Sequence, residues 1–237
     1  MQIYRPLNKI YAFTFDLDDT LYDNAPYITK SEQVHIETLQ KVDGLQNVSK
    51  EDYKTVKNAL LLENPEIYHD VVEWREQATK KLLVLHGLKD KNQIQSITDE
   101  AMQNFIVWRN KIIVPQESID TLAYLAERVP LAVVTNGNAD INLIGIGDYF
   151  QFALRGGPDG RSKPFPDLFN NATKRLNLQP ENVMHVGDHL ICDVEGAINA
   201  GMQACWLNVK ENVKPNQEDI VLPHIQIATL PELNNLL

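Results

Sequence analysis

Phe13-Thr14-Phe15-Asp16-Leu17-Asp18-Asp19-Thr20-Leu21 is the stretch from which this chain can be read. Ile10 to Phe15 is a short apolar and aromatic run of the kind that forms a buried strand, and it ends in Asp16, Asp18 and Asp19. Stability alone does not explain that ending. Like charges about 4 Å apart repel by about 4 kcal/mol at an effective dielectric of about 20, so a cation is expected among them, a divalent metal first of all. Side chains alternate along an extended backbone, so Asp16 and Asp18 fall on one side and face one ligand beyond the strand's carboxyl end, where open α/β sheets bind ligands. One carboxylate there can attack a substrate while its neighbour moves a proton.

The length of 237 residues fits a large domain, or a core with a smaller insert. A net charge of −10 argues against a nucleic-acid backbone as partner, since that binding rests on Lys and Arg neutralising phosphates. It does not exclude a small phosphorylated substrate, because a bound metal and one or two local cations reverse the field inside a pocket. No apolar run approaches the roughly 20 residues that span a bilayer, so no membrane association is expected and the cytoplasm is the expected location. No obligate protein partner is implied. Cys192 and Cys205 are expected as reduced thiols.

Leu21 to Pro26 reads as a turn-rich exit from the first strand, and the chain from there to Lys111 reads as helical. Ser49 and Asp52 make a capping-box start for a helix carrying Tyr53, Val56 and Leu60, which Asn64-Pro65 interrupts. Ile67, Val71, Trp74, Ala78, Leu82 and Leu85 form one stripe ending at Gly87, and Ile94, Ile97, Ala101, Phe105 and Trp108 form another. From Pro115 strands alternate with helices. A helix through Ile119 to Ala126 precedes a strand at Leu131 to Val134, and Phe150 to Leu154 is a third strand. A helix around Leu168 to Leu176 leads to a strand at Val183 to Val186, a helix near Val194 to Ala200 and a strand at Ala204 to Leu207. Ile225-Gln226-Ile227 and Pro231 to Leu237 add a last strand and helix. The expected fold is α/β: a Rossmann-like, mostly parallel sheet core over 1–21 and 112–237, with an inserted helical cap domain over 22–111 that hangs over the end of the first strand.

Asp16-Leu17-Asp18-Asp19-Thr20-Leu21 resembles the first motif of the haloacid dehalogenase-like hydrolases. The resemblance implies that Asp16 is the nucleophile and Asp18 the acid/base of a phosphatase. Its second motif, a Thr or Ser at a strand end, is matched by Thr135 in Val133-Val134-Thr135-Asn136-Gly137, whose hydroxyl and following backbone N–H groups, from Asn136 on, would bind phosphoryl oxygens; a plain turn is the other reading. The third, a Lys before Pro, is matched by Lys163-Pro164, implying an ammonium beside the nucleophile; a surface lysine is the other reading. The fourth, an acidic pair, is matched by Asp188 and Asp193 in Gly187-Asp188-His189-Leu190-Ile191-Cys192-Asp193, where helix capping is the bland alternative. The implied cofactor is Mg²⁺, held by Asp16, Asp188 and the backbone carbonyl of Asp18, with Asp193 holding a water.

His189 stands where relatives often carry another Asp, a departure expected to weaken metal affinity. A transition-metal set of His185, His189, Cys192 and Asp193 competes with this reading, but no well-spaced ligand frame accompanies it. A response-regulator receiver also joins acids, a Thr and a Lys, yet its phosphoacceptor follows a later strand and it has no helical insert.

The expected reaction is phosphomonoester hydrolysis through an aspartyl phosphate, with a phosphomutase or an inactive regulatory relative as alternatives. Dehalogenases of this fold lack an acid at the position of Asp18, because a halide leaves without a proton. Trp74 and Arg75, near Trp108 and Arg109, offer rings and cations to a planar heterocycle; packing inside the cap is the competing role. Phe15 to Asn24, Asn64 to Val71, Thr135 to Ala139, Arg161 to Phe165 and Gly201 to Trp206 resemble family members that act on flavin mononucleotide (FMN) and on the riboflavin precursor 5-amino-6-(5-phospho-D-ribitylamino)uracil.

Overall fold

The computed structural model describes residues 1–209 and 221–237. Its strands there are β1 (Gln2–Ile3), β2 (Ala12–Phe15), β3 (Leu131–Thr135), β4 (Ala153–Arg155), β5 (Val183–Gly187), β6 (Gln203–Leu207) and β7 (Ile225–Ile227). Its α-helices are α1 (Ala25–Leu39), α2 (Lys50–Glu63), α3 (Val71–Leu85), α4 (Lys91–Arg109), α5 (Gln116–Ala126), α6 (Asp167–Leu176) and α7 (Gly196–Asn199). The chain divides into two compact units: Met1–Asp23 with Ile113–Gly137 and Ile141–Leu237, and Asn24–Ile112 with Asn138–Asp140. The short segment 138–140 joins the second unit because Asn138 and Asp140 are tied to the end of α4, Arg109 Nε donating to Asn138 Oδ1 at 3.2 Å and Asp140 N to Asn110 Oδ1 at 2.8 Å. No helix among the described residues is long and apolar enough to cross a membrane.

The first unit is built on a sheet of order β1-β7-β6-β5-β2-β3-β4, parallel throughout except where β1 meets β7. Parallel strands are covered on both faces, which is why β2, β3, β5 and β6 are mostly apolar and buried at every position, Thr14, Thr135, His185 and Gln203 being their buried polar residues. β2 lies between β3 and β5, with Phe15 paired to Val133 on one side and to Val186 on the other. The residues following these three neighbouring strands therefore emerge together at one edge. One side of the sheet packs a core of Val134, Leu154, Phe169, Val194, Ala197 and Trp206.

Several expected bounds move. The strand expected over Phe150 to Leu154 is confined to Ala153–Arg155, and the two-residue edge strand β1 is new. The helix expected from Val194 begins earlier, as a π-helical turn over Leu190–Glu195 that runs into α7. The C-terminal helix is a 3₁₀ segment, Leu230–Leu236, opened by a Thr229/Glu232 capping box.

The second unit is helical. Ser49 opens α2 with the expected capping box on Asp52. Pro26, read from sequence as part of a turn, lies in the first turn of α1, where its missing N–H costs nothing. Ile67 does not belong to the stripe of α3: it sits on a separate 3₁₀ turn, Pro65–His69, and Asp70 then caps α3 by accepting from Val72 N and Glu73 N at 2.9 and 3.0 Å. Leu39, Val56, Ala78, Leu82, Leu83 and Ala101 form the core of this unit. His35 is buried in it, bonded to Ala101 O and Thr79 Oγ1, and burial, with the charge of Arg75, pushes its pKa down to about 4.

Candidate active site

Asp16 follows β2, and its N–H completes the ladder by donating to Val186 O at 2.9 Å. Thr135 ends β3 and Asp188 follows β5. Three neighbouring strands thus deliver three of the sequence-predicted groups. Lys163, on the segment before α6, joins them: its Nζ donates to Asp16 Oδ1 at 2.8 Å, to Asp193 Oδ1 at 2.6 Å and to Val134 O at 2.8 Å. All three N–H bonds of the ammonium are used, although Lys163 is only 3% exposed.

The backbone around Lys163 is fixed by Asn136. Asn136 Oδ1 accepts from Lys163 N at 2.7 Å and Asn136 Nδ2 donates to Lys163 O at 2.9 Å. The Asn136 side chain is thus spent on positioning the lysine. Gly196 lets the same segment approach α7, since a Cβ there would lie 2.8 Å from Phe169 Cε2 and 3.0 Å from Pro164 Cα. Thr135 Oγ1 accepts from Gly137 N at 3.0 Å, which turns its hydroxyl hydrogen away from that loop.

Asp193 is held from every side. Oδ1 accepts from Lys163 and, at 3.2 Å, meets His185 Nε2; Oδ2 accepts from His189 N at 2.9 Å. A Cβ at Gly187 would fall 2.2 Å from Asp193 Cγ, so only glycine at the end of β5 admits this carboxylate. Asp188 accepts from Thr20 Oγ1 at 3.3 Å, and its carbonyl accepts from Trp206 Nε1 at 2.8 Å. Asp18 accepts from Tyr22 OH at 2.8 Å. Between Asp18 and Thr20 the backbone turns through Asp19 at φ 60°, a conformation Asp tolerates better than most side chains.

Charge is concentrated here. Burial, together with repulsion from Asp193 and Asp18, pushes Asp16 up to about 7 even with Lys163 bonded to it. Burial, Asp193 and Asp19 push Asp188 up to about 6. Asp193 moves the other way: burial opposes its charge, but Lys163 and His185 outweigh burial and hold it below the usual range. Burial likewise opposes the charge of Lys163, and the two carboxylates hold its pKa above the ordinary lysine value.

Asp16, Asp188 and Asp193 offer carboxylate oxygens within 4.8 Å of one another. The donors are all hard oxygens, and two of the three groups carry raised pKa values that a cation would relieve, so the set fits Mg²⁺. Asp18 stands outside this cluster, its carboxylate being taken up by Tyr22.

The transition-metal alternative is corrected. His185 spends Nδ1 on Thr14 Oγ1 and Nε2 on Asp193, and His189 Nδ1 accepts from Ile191 N and Cys192 N, capping the π-helical turn. His189 thus serves the backbone of that turn. Cys192 and Cys205 are both free thiols.

Trp74 and Arg75 belong to the helical unit and make packing contacts within it. Trp74 Nε1 donates to Lys57 O at 3.0 Å, and the Arg75 guanidinium lies 3.8 Å from the centroid of the Phe105 ring. Sequence reasoning gave no role to Thr14 or Thr20, and it offered His185 only as a transition-metal ligand. Thr20 follows the acidic run directly and was within reach of the motif argument; Thr14 and His185 sit inside strands, where period-two alternation marks them only as core.

Residues 10–201 match the family described as haloacid dehalogenase-like hydrolase. The chain is 43% identical over 239 residues, covering all of both proteins, to 5-amino-6-(5-phospho-D-ribitylamino)uracil phosphatase YigB of Escherichia coli (strain K12). It is 26% identical to the N-acylneuraminate-9-phosphatase of Mus musculus, over 98% of this chain and 95% of that one. Among solved structures, a 2-haloacid dehalogenase from Pseudomonas syringae pv. Tomato DC3000 superposes with a TM-score of 0.89 at 34% identity, over 96% of this chain and 97% of that one. With the carboxylates, threonine and lysine assembled as described, these likenesses make the chain a member of the haloacid dehalogenase-like hydrolases, as one of the family's phosphatases.

Proposed function

We propose that this phosphatase hydrolyses 5-amino-6-(5-phospho-D-ribitylamino)uracil in two steps, through a phosphoryl group carried on Asp16. The observation that carries the chemistry is the bond from Lys163 Nζ to Asp16 Oδ1, which leaves Oδ2 as the oxygen that attacks phosphorus. Asp18, steadied by Tyr22, gives a proton to the departing alkoxide and then takes one from the water that cleaves the acyl phosphate. Lys163 offsets the charge of the pentavalent phosphorus, and the Thr135 hydroxyl donates to one of its oxygens.

Asp16 and Asp188 are the residues that would hold Mg²⁺. Asp193, whose oxygens already serve Lys163, His185 and His189 N, acts from behind them. When bound, the cation supplies positive charge that offsets the carboxylates and the phosphoryl oxygens.

Likeness to the dehalogenase structure does not favour dehalogenation, because Asp18 is an acid that a departing halide has no use for. The choice of substrate rests on the full-length similarity to YigB. Phosphate release from a panel holding this compound, FMN and simple sugar phosphates, with and without chelator, tests the reading. The expected result is the highest kcat/KM for the ribitylaminouracil phosphate and loss of turnover with chelator. Equal or better turnover of sugar phosphates removes the substrate assignment, and full activity in Asp16→Asn removes the covalent mechanism.

A further inference from the structure

The geometry points to His185 as a positioning residue for the hydrolytic step: a neutral imidazole that fixes Asp193, which in turn fixes Lys163 against Asp16. His185 is fully buried in β5, three residues before Asp188, and it touches no group a substrate reaches. Its bonds define its state. Asp193 Oδ1 already accepts from Lys163 at 2.6 Å and is an acceptor only, so His185 Nε2, 3.2 Å away, must be the protonated nitrogen. Nδ1 is then an acceptor, and the partner 2.9 Å from it is the hydroxyl of Thr14 on the adjacent strand β2. The strands hold the two residues opposite each other, Thr14 pairing with His185 in the ladder. The edge of the ring is fixed as well, with Phe169 set against it at 5.0 Å and 81°.

Thr14, His185, Asp193, Lys163 and Asp16 are thus joined by hydrogen bonds from the middle of the sheet to the nucleophile, with donors converging on Asp193 from both His185 and Lys163, and Lys163 donating onward to Asp16. Asp193 selects the imidazole tautomer, the Thr14 hydroxyl serves the other ring nitrogen, and Asp193 also accepts from His189 N. Without the imidazole, Asp193 Oδ1 loses one of its two donors inside the protein, and the carboxylate is held only by the ammonium it must orient and by His189 N. Lys163 then loses its fixed bearing on Asp16. The effect belongs in kcat, since no binding contact is removed.

This inference rests on the proposed roles of Asp16 and Lys163, and the test separates the two. Four variants are assayed for phosphate release beside the parent: His185→Leu, His185→Gln, Thr14→Val and, as control, Asp16→Asn. Mg²⁺ affinity is measured on each by calorimetric titration, and folding by circular dichroism. Losing a buried bond to a charged group predicts a kcat about 10- to 100-fold lower in His185→Leu with KM within about three-fold. His185→Gln keeps an N–H toward Asp193 and recovers most of that loss. Thr14→Val, close in shape to the parent, removes the hydroxyl that holds Nδ1 and lowers kcat by about three- to ten-fold, which keeps the inference open to test if His185→Leu does not fold. The Kd for Mg²⁺ stays within about three-fold in all three, because no charge has changed.

A parental kcat in folded His185→Leu or in Thr14→Val, equal losses in Leu and Gln, or a loss that appears in KM or in the Mg²⁺ Kd instead of kcat overturns the positioning role. Should Asp16→Asn retain activity, the proposed chemistry itself fails; should it be inactive while His185→Leu is parental, only the present inference does.

Discussion

Lys163→Met removes one ammonium and keeps most of the stem that carries it. In the parent, Nζ lies 2.8 Å from Asp16 and 2.6 Å from Asp193, with the three side chains 2 to 12% exposed. Taking one partner from such a buried set leaves charge uncompensated, at a cost of about 3–5 kcal/mol. A proton can relieve part of this. Asp16 lies at about 7 with Lys163 present, against 3.8 for a free carboxyl, and without the ammonium it rises further. A carboxyl with a raised folded pKa contributes stability below its unfolded value and loses it as pH climbs through the folded value. The deficit of the variant is therefore smallest near about pH 5, where Asp16 is protonated, and approaches the full 3–5 kcal/mol toward about pH 9. Urea denaturation in chelator across this range, with phosphate release measured in parallel, reads both effects. Turnover should fall by about 10³-fold or more, as expected when a charge aimed at the transition state is lost. A variant within about 1 kcal/mol of the parent at every pH would show that the ammonium does not balance these acids, and the whole electrostatic account of the site would go with it.

Other expectations are as direct. Gly187→Ala puts a methyl 2.2 Å from Asp193 Cγ, so thermal unfolding should show about 1–3 kcal/mol of destabilisation together with a loss of turnover. His35 stays neutral in the folded chain down to about 4 against 6.5 when unfolded; the unfolded chain takes up the proton first, so stability falls by about 3 kcal/mol as pH drops between these values, and His35→Gln should flatten that fall in a denaturation series. Mg²⁺ at about 100 times its Kd should stabilise the chelator-treated protein by about 2.7 kcal/mol in a melting experiment, and Asp188→Asn should remove most of that shift.

The strand-end acids, Thr135 and Lys163 were legible in the sequence because each is a polar group in a place where an apolar run stops. The alternation of strands and helices after Pro115 was legible for the same reason, as a change of period. What escaped has physical causes. β1 is two residues long and carries no pattern of its own. Pro26 was read by its commonest meaning, a turn, although the first turn of a helix suits it as well. Ile67 continued the spacing of α3 by coincidence, and only Asp70, a capping residue, marked the break. What the Asn136 side chain does was not legible, because its partner, the backbone of Lys163, lies 27 residues away and no spacing announces the pair. Gly187 gave no sign either, since a glycine that makes room for a distant carboxylate looks no different from one that turns the chain.

The bond from Lys163 to Asp16 closes a loop of 147 residues. At the usual ribosomal pace of about 5–20 residues per second, roughly 7 to 30 s pass between the emergence of the nucleophile and that of its counter-charge. During that interval the helical unit, almost all of which lies inside the loop, has every residue of its own interior except the short 138–140 segment early on, while the acids at the end of β2 remain together without their lysine. Synthesis therefore finishes the insert before the centre, and the segment that makes the first strand's acids tolerable appears only after β4.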